Sequence, residues 1–190
     1  SYYALITQTD RRIGELLNAL RESGLAETTV VIYISDHGEM AGRKGLWQKM
    51  CFYEPSARVP LVIRGPGWPR GRRVAANVSL IDILPTLLDL AGEPVPPELP
   101  GASLLSAQRL AADENERLVC GEYHGQGSER ASYMIRKENH KYIHHLGLEP
   151  QLFDLESDPE EREDLAGRPE TEELCSQLHG ELQRIADPEE

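Results

Sequence analysis

Apolar residues near the start of the chain recur at helical intervals. Ile6, Ile13, Leu16, Leu17 and Leu20 share one face, while Glu15, Asn18, Arg21 and Glu22 fill the other. This predicts a helix from Tyr2 to Arg21, stopped at Ser23-Gly24, because glycine is the usual residue just beyond a helix end. From Thr28 to Ile34 the period vanishes into a continuous, β-branched apolar run, the pattern of a strand buried on both faces of a parallel sheet. Arg58 to Ile63 reads as a second such strand, closed by the turn residues Arg64-Gly65-Pro66-Gly67. Asp82 to Ala91 predicts a short helix with Pro85 in its first turn and Gly92 as its stop.

After the proline-rich stretch Glu93 to Pro100 the pattern changes again. Arg117 to Tyr123, Ser132 to Arg136, His140 to Leu146 and Gln151 to Leu155 are short strand candidates separated by turn residues, which predicts a small antiparallel sheet. Thr171 to Ile185 closes the chain as an amphipathic helix with Thr171 placed to cap it. Two parts are therefore expected: residues 1–112 as α/β, and residues 113–190 as a small antiparallel α+β subdomain.

Composition bounds the function without naming it. No apolar run is long enough for a membrane span, and a net charge of -12 repels polyphosphate backbones, so neither a membrane nor a nucleic acid is the expected partner. Much of the acidity is local to Asp158 to Asp164 and Asp187 to Glu190, a solvated surface by composition. Cys51, Cys120 and Cys175 are odd in number and lack CxxC spacing, which reads as free thiols and leans towards the cytoplasm. No methionine or targeting segment opens the chain, so Ser1 reads as an internal position.

Candidate chemistry gathers after the first strand. Asp36 and His37 stand where ligands collect in open α/β sheets, and Gly38 leaves both side chains room to turn into one crevice. A carboxylate beside an imidazole suits Ca, Mg, Mn or Zn, although an aspartate in this position is also a common cap. Lys49 follows the glycine-bearing loop from Gly38 to Gly45. His124, between Tyr123 and Gly125 at a predicted strand end, is either a substrate contact or a structural histidine. His140, His144 and His145 look like a metal cluster, but strand alternation puts His144 and His145 on opposite faces, and they are read as subdomain surface.

Five blocks in order then resemble the sulfatase family: Ser35-Asp36-His37-Gly38-Glu39, Gly45-Leu46-Trp47-Gln48-Lys49, Arg58-Val59-Pro60-Leu61, Asp82-Ile83-Leu84-Pro85-Thr86, and Gln151-Leu152-Phe153-Asp154-Leu155 with Asp158-Pro159. Histidine at position 37 is similar to the choline-sulfatase-like and phosphonate-monoester-hydrolase-like branches, and the Gly45 to Met50 stretch with Glu122-Tyr123-His124-Gly125 also looks choline-sulfatase-like. The resemblance implies an alkaline-phosphatase-like, mainly parallel α/β fold with a small antiparallel carboxy-terminal subdomain. It implies hydrolysis of a small sulfate ester, with Asp36 and His37 as two ligands of a divalent cation, calcium first and manganese or magnesium next. Lys49 matches the family's sulfate-contacting lysine; His124, by its position at a strand end, could stand near the substrate's organic group or be structural.

The family's formylglycine nucleophile, made from Cys or Ser in C/S-x-P-x-R, and its early aspartate pair are not in this sequence. The intervals between Cys51, Pro55 and Arg58 are too long for that motif. The chain thus reads as a carboxy-terminal fragment, inactive alone, of a sulfatase that leaves room for a homo-oligomer of the whole protein. A phosphonate or phosphate monoester hydrolase of the same superfamily, or a non-catalytic binding module, are the alternatives.

Overall fold

The computed structural model describes residues 2–107, 117–125, 130–186 and 188. It divides into two compact units, one of residues 1–35 and 60–72, the other of residues 36–59 and 73–190. The expected boundary at residue 112 falls outside the described residues.

The first unit holds α1 (Tyr2–Glu22), β1 (Val31–Ile34) and β2 (Leu61–Arg64). The helix ends as its composition predicts: the Ser23 hydroxyl donates to the Leu20 carbonyl, and Gly24 turns left-handed at φ 74°. β1 begins later than its apolar run because Thr28 and Thr29 are spent on a turn, both hydroxyls donating to the Leu25 carbonyl. β1 and β2 pair antiparallel, with Val31 opposite Arg64 and Ile34 opposite Leu61. The apolar runs signalled strand character but not strand direction, since direction depends on which strands become neighbours. Gly65, at φ 149°, lies so close to Val30 that a Cβ there would stand 2.7 Å from the Val30 Cα, so only glycine closes this turn. No side chain of α1 is buried, and Tyr2, Leu5, Ile6, Leu16, Tyr33 and Val62 keep apolar surface open.

The second unit carries α2 (Glu54–Ala57), α3 (Ile83–Ala91), α4 (Leu104–Ala107), a four-stranded sheet and α5 (Glu172–Ile185). Its strands β3 (Val119–Tyr123), β4 (Ser132–Lys137), β5 (His140–His145) and β6 (Gln151–Asp154) lie in sequence order, each antiparallel to the next, the meander expected from their short spacing. Tyr133, Ile135, Tyr142 and Leu152 on the sheet meet Leu178 and Leu182 of α5 in the main core. Thr171 does not cap α5: its hydroxyl donates backwards to the carbonyls of Leu165 and Arg168, and a 3-10 turn over Pro169–Thr171 leads into the helix.

Before α3 the buried Asp82 organises its surroundings. Its carboxylate accepts from the Ser79 N–H at 2.7 Å and the Ala102 N–H at 2.9 Å, and it pairs with Arg117. Gly101 is packed against the Ile81 carbonyl, where a Cβ would come within 2.1 Å.

Candidate active site

The segment from Asp36 to Ser56 is a hairpin-like loop fixed by its backbone. The Gly38 N–H donates to the Ser56 carbonyl at 2.7 Å, and the Glu39 N–H donates to the Pro55 carbonyl at 2.8 Å. Farther in, the Met40 N–H reaches the Gln48 carbonyl at 2.8 Å, and the Ser56 hydroxyl donates to the Lys49 carbonyl at 2.7 Å. Glu39 ties the loop neck, one carboxylate oxygen accepting from the N–H groups of Ala41 and Gln48 at 3.0 and 2.7 Å. Gly38 is required at its place, because a Cβ would lie 2.0 Å from the Pro55 carbonyl oxygen.

The loop tip is bent by five left-handed residues: Ala41, Gly42, Lys44, Gly45 and Gln48 have φ of 49°, 90°, 53°, 73° and 70°. Three of these are not glycine, and such conformations persist only where surrounding contacts hold them. The bend carries Trp47, which packs over Gly42 yet stays 71% exposed, and leads back to Lys49, whose carbonyl is held by the Ser56 hydroxyl.

Asp36 and His37 form a close pair. The His37 N–H donates to Asp36 Oδ1 at 3.0 Å, and His37 Nε2 stands 3.3 Å from Asp36 Oδ2. His37 Nδ1 lies 2.8 Å from the Gly38 carbonyl, which only accepts, so Nδ1 carries a proton and donates it. Nε2 then faces an Asp36 carboxylate oxygen. Desolvation, the largest single influence, pushes the Asp36 carboxyl up, but the His37 N–H, the His37 charge, its own N–H and, last, the Lys49 charge together outweigh it and hold the group below the usual aspartate range. A fixed carboxylate, an imidazole with its far nitrogen anchored, and an ammonium together suit a cation and a tetrahedral anion.

His124 ends β3. Its Nε2 lies 3.3 Å from Glu122, and its ring meets Tyr133 edge-on at 5.3 Å. His144 and His145 do face opposite ways, but His144 is buried, against Tyr133 and His179, instead of lying on the surface. His145 Nδ1 lies 2.8 Å from the Ser132 hydroxyl. Alternation told the faces apart without telling which one α5 covers.

The supports of this loop carry no signature in the sequence. Glu39 belongs to a recognised block, but its hydrogen bonds depend on a tip conformation that residue types do not disclose. Lys141 and Glu161, both buried, grip the segment following Lys49, and nothing in their spacing joins them to it.

The comparisons with known proteins come down on one family. The sulfatase family pattern matches residues 1–93. Arylsulfatase K of Bos taurus is 40% identical over 194 residues, covering 97% of this chain and 36% of that protein. Arylsulfatase K of Homo sapiens is 41% identical over 190 residues, covering 94% of this chain and 35% of that protein. The chain therefore spans about a third of the length of these relatives. Among solved structures, BT4656 in complex with its substrate D-glucosamine-2-N,6-O-disulfate superposes with a TM-score of 0.81 at 30% identity, covering 97% of this chain and 40% of that one. The phosphonate monoester hydrolase of Agrobacterium radiobacter superposes with a TM-score of 0.83 at 32% identity, with the same coverage.

These relatives correct one expectation. A cytoplasmic location is overturned, because the arylsulfatase K proteins that match are typically lumenal or lysosomal enzymes. Cys51, Cys120 and Cys175 are indeed free thiols, but three unpaired cysteines in so short a stretch do not report the compartment. No helix among the described residues is long and apolar enough to cross a membrane. The ordered blocks, the superposition and the sequence identity agree, and the chain belongs to the sulfatase family, with that family's alkaline-phosphatase-like fold.

Proposed function

We propose that the chain supplies one wall of a sulfuric ester hydrolase site, completed in the whole protein by residues outside this sequence. The observation that supports the reading is the close Asp36–His37 pair at the neck of a loop whose other side is held through the Lys49 carbonyl and the Ser56 hydroxyl. The relatives named arylsulfatase K, at 40 and 41% identity, support the same activity.

Asp36 Oδ2 and His37 Nε2 would hold a divalent cation, and their 3.3 Å separation, with Nδ1 already engaged, fits two donors converging on one ion. Among the described residues no group of three or more candidate ligands gathers. Calcium, the family's usual ion, takes about six to eight oxygen ligands, so the remainder belongs to the rest of the protein. Manganese and magnesium are the other candidates, the imidazole nitrogen making the pair less than purely hard. When bound, the cation supplies a positive charge to the sulfate oxygens.

Lys49 presents three N–H donors to the same anion and stabilises negative charge as the ester oxygen leaves. The Gly38 carbonyl keeps the His37 proton on Nδ1, holding the ring in a single orientation. His124 is assigned to the organic part of a small sulfate ester, on the strength of its half-exposed ring at the end of β3. The nucleophile is assigned to a formylglycine outside this sequence.

A phosphonate or phosphate monoester is the second reading, favoured by the 32% identity to the Agrobacterium radiobacter enzyme, since an ammonium holds either tetrahedral anion. The test is kcat/KM of the full-length protein on an aryl sulfate and on phenylphosphonate. Preference for the sulfate is expected, and a strong preference for the phosphonate would overturn the first reading.

A further inference from the structure

The segment that follows Lys49 is gripped by an ion cluster the sulfate-site reading does not use. Lys141 on β5 is 1% exposed, and its ammonium donates to the Phe52 carbonyl at 2.9 Å, to Glu54 Oε1 at 2.5 Å and to Glu161 Oε1 at 2.9 Å. All three ammonium protons are thereby used. Glu161, also 1% exposed, accepts the Glu54 N–H through its other oxygen at 2.7 Å, and its carbonyl accepts from Lys44 at the loop tip. Glu161 holds a left-handed φ of 55° to do so. Arg136 adds a second cation 3.8 Å from Glu54.

The neighbouring contacts point the same way. A Cβ on Gly121 would stand 3.0 Å from the Phe52 ring, so the glycine on β3 makes room for it. The Tyr53 hydroxyl donates to Gln151 Oε1 at 3.2 Å, and the Tyr53 ring meets Phe153 edge-on at 6.0 Å. The Lys44 ammonium sits 4.6 Å above the Tyr53 ring. The cluster therefore fastens both the loop tip, through Lys44, and the start of α2, through Phe52 and Glu54. Lys49 lies between these two anchorages. A buried lysine and two carboxylates stabilise a fold poorly compared with apolar side chains of similar size, because each charge must be desolvated. What such a cluster provides in return is a single geometry.

We propose that Lys141 and Glu161 are positioning residues, an ion clamp from the small sheet that sets where Lys49 meets the substrate anion. The proposal rests on Lys49 being the anion contact. A displacement of about 1 Å at such a contact lowers turnover by on the order of a hundredfold.

The test uses the full-length protein, with kcat and KM on an aryl sulfate measured per folded molecule, and hydrogen exchange followed in the peptide spanning residues 47–53. Lys141→Met and Glu161→Gln are expected to lower kcat by tenfold or more and to speed exchange in that peptide. Leu182→Ala, in the core under α5, is expected to lower the melting temperature without changing either quantity per folded molecule. Combined with Lys49→Ala, the clamp variants should cost little beyond Lys49→Ala alone, because they act through the same ammonium.

Full activity in Lys49→Ala by itself would remove the sulfate-site reading before the clamp is considered. If Lys49→Ala is impaired but the folded clamp variants keep wild-type kcat and exchange, or their losses multiply with that of Lys49→Ala, the clamp is refuted. Where Lys141→Met does not fold, Glu161→Gln decides, and failure of both to fold would assign the cluster to folding and overturn the positioning role.

Discussion

Replacing Gly38 with alanine tests whether backbone packing holds the active-site loop. The added Cβ would lie 2.0 Å from the Pro55 carbonyl oxygen and 3.1 Å from that of Ser56, where 3.0 Å is the closest approach real Cβ atoms make. The two strands of the neck must therefore part by about 1 Å, the difference between 3.0 and 2.0 Å. Opening them breaks the Gly38 to Ser56 and Glu39 to Pro55 hydrogen bonds, of 2.7 and 2.8 Å. Each is worth about 0.5 to 1.5 kcal/mol net, and forcing a methyl into a filled space adds about 1 to 3 kcal/mol. The sum is about 2 to 6 kcal/mol, less where the loop yields instead of the fold. Since Ser56 also binds the Lys49 carbonyl, the shift reaches Lys49, and kcat should fall by on the order of a hundredfold even in molecules that remain folded. Urea unfolding of the full-length protein, followed alongside turnover of an aryl sulfate, measures both. A Gly38→Ala protein with unchanged midpoint and turnover would refute the packing argument.

Other substitutions probe separate parts of the account. Asp36→Asn should abolish most activity while leaving circular dichroism and the unfolding midpoint unchanged, because its side chain is 83% exposed; near-normal turnover would reduce Asp36 to a turn residue. Asp82→Asn removes the charge that pairs with Arg117 and weakens the acceptor of two N–H bonds, and should cost about 2 to 4 kcal/mol on chemical denaturation, with Arg117 partly solvated; a loss under 1 kcal/mol would contradict this. Asp154 is held below the usual aspartate range, first by the Ser157 hydroxyl and then, against slight desolvation, by the Glu156 N–H and the His140 charge. A carboxyl depressed by folding adds stability above its unfolded pKa of about 3.9 and loses it as pH falls through the folded value. The stability gap between wild type and Ser157→Ala should therefore be open at pH 6 and close below about pH 4; a gap that widened on acidification would count against the assignment.

How much of this was legible follows from what each signal encodes. Helical periodicity located α1 and α5 nearly to their ends, and turn residues separated the four strands of the small sheet. The four-residue helices α2 and α4 left no trace, since one turn carries no period. Continuous apolar runs marked β1 and β2 but not their antiparallel pairing. Thr171 has the right residue type for a cap, yet two upstream carbonyls claimed its hydroxyl. The family blocks nominated Asp36, His37 and Lys49 as candidates by number. Their mutual geometry lay in hydrogen bonds from Gly38, Glu39 and Ser56 and in a bend that three non-glycine residues enter against their intrinsic preference. Lys141 and Glu161 were invisible because a partnership between residues far apart in sequence becomes evident only once the sheet and loop meet.

If the proposed function holds, Lys49 contacts the anion being cleaved. The most direct measurement is kcat/KM of Lys49→Ala on an aryl sulfate, in full-length protein shown to be folded. Removing a preorganised cationic donor should lower it by on the order of a hundredfold to a thousandfold. A value within twofold of wild type would contradict the account.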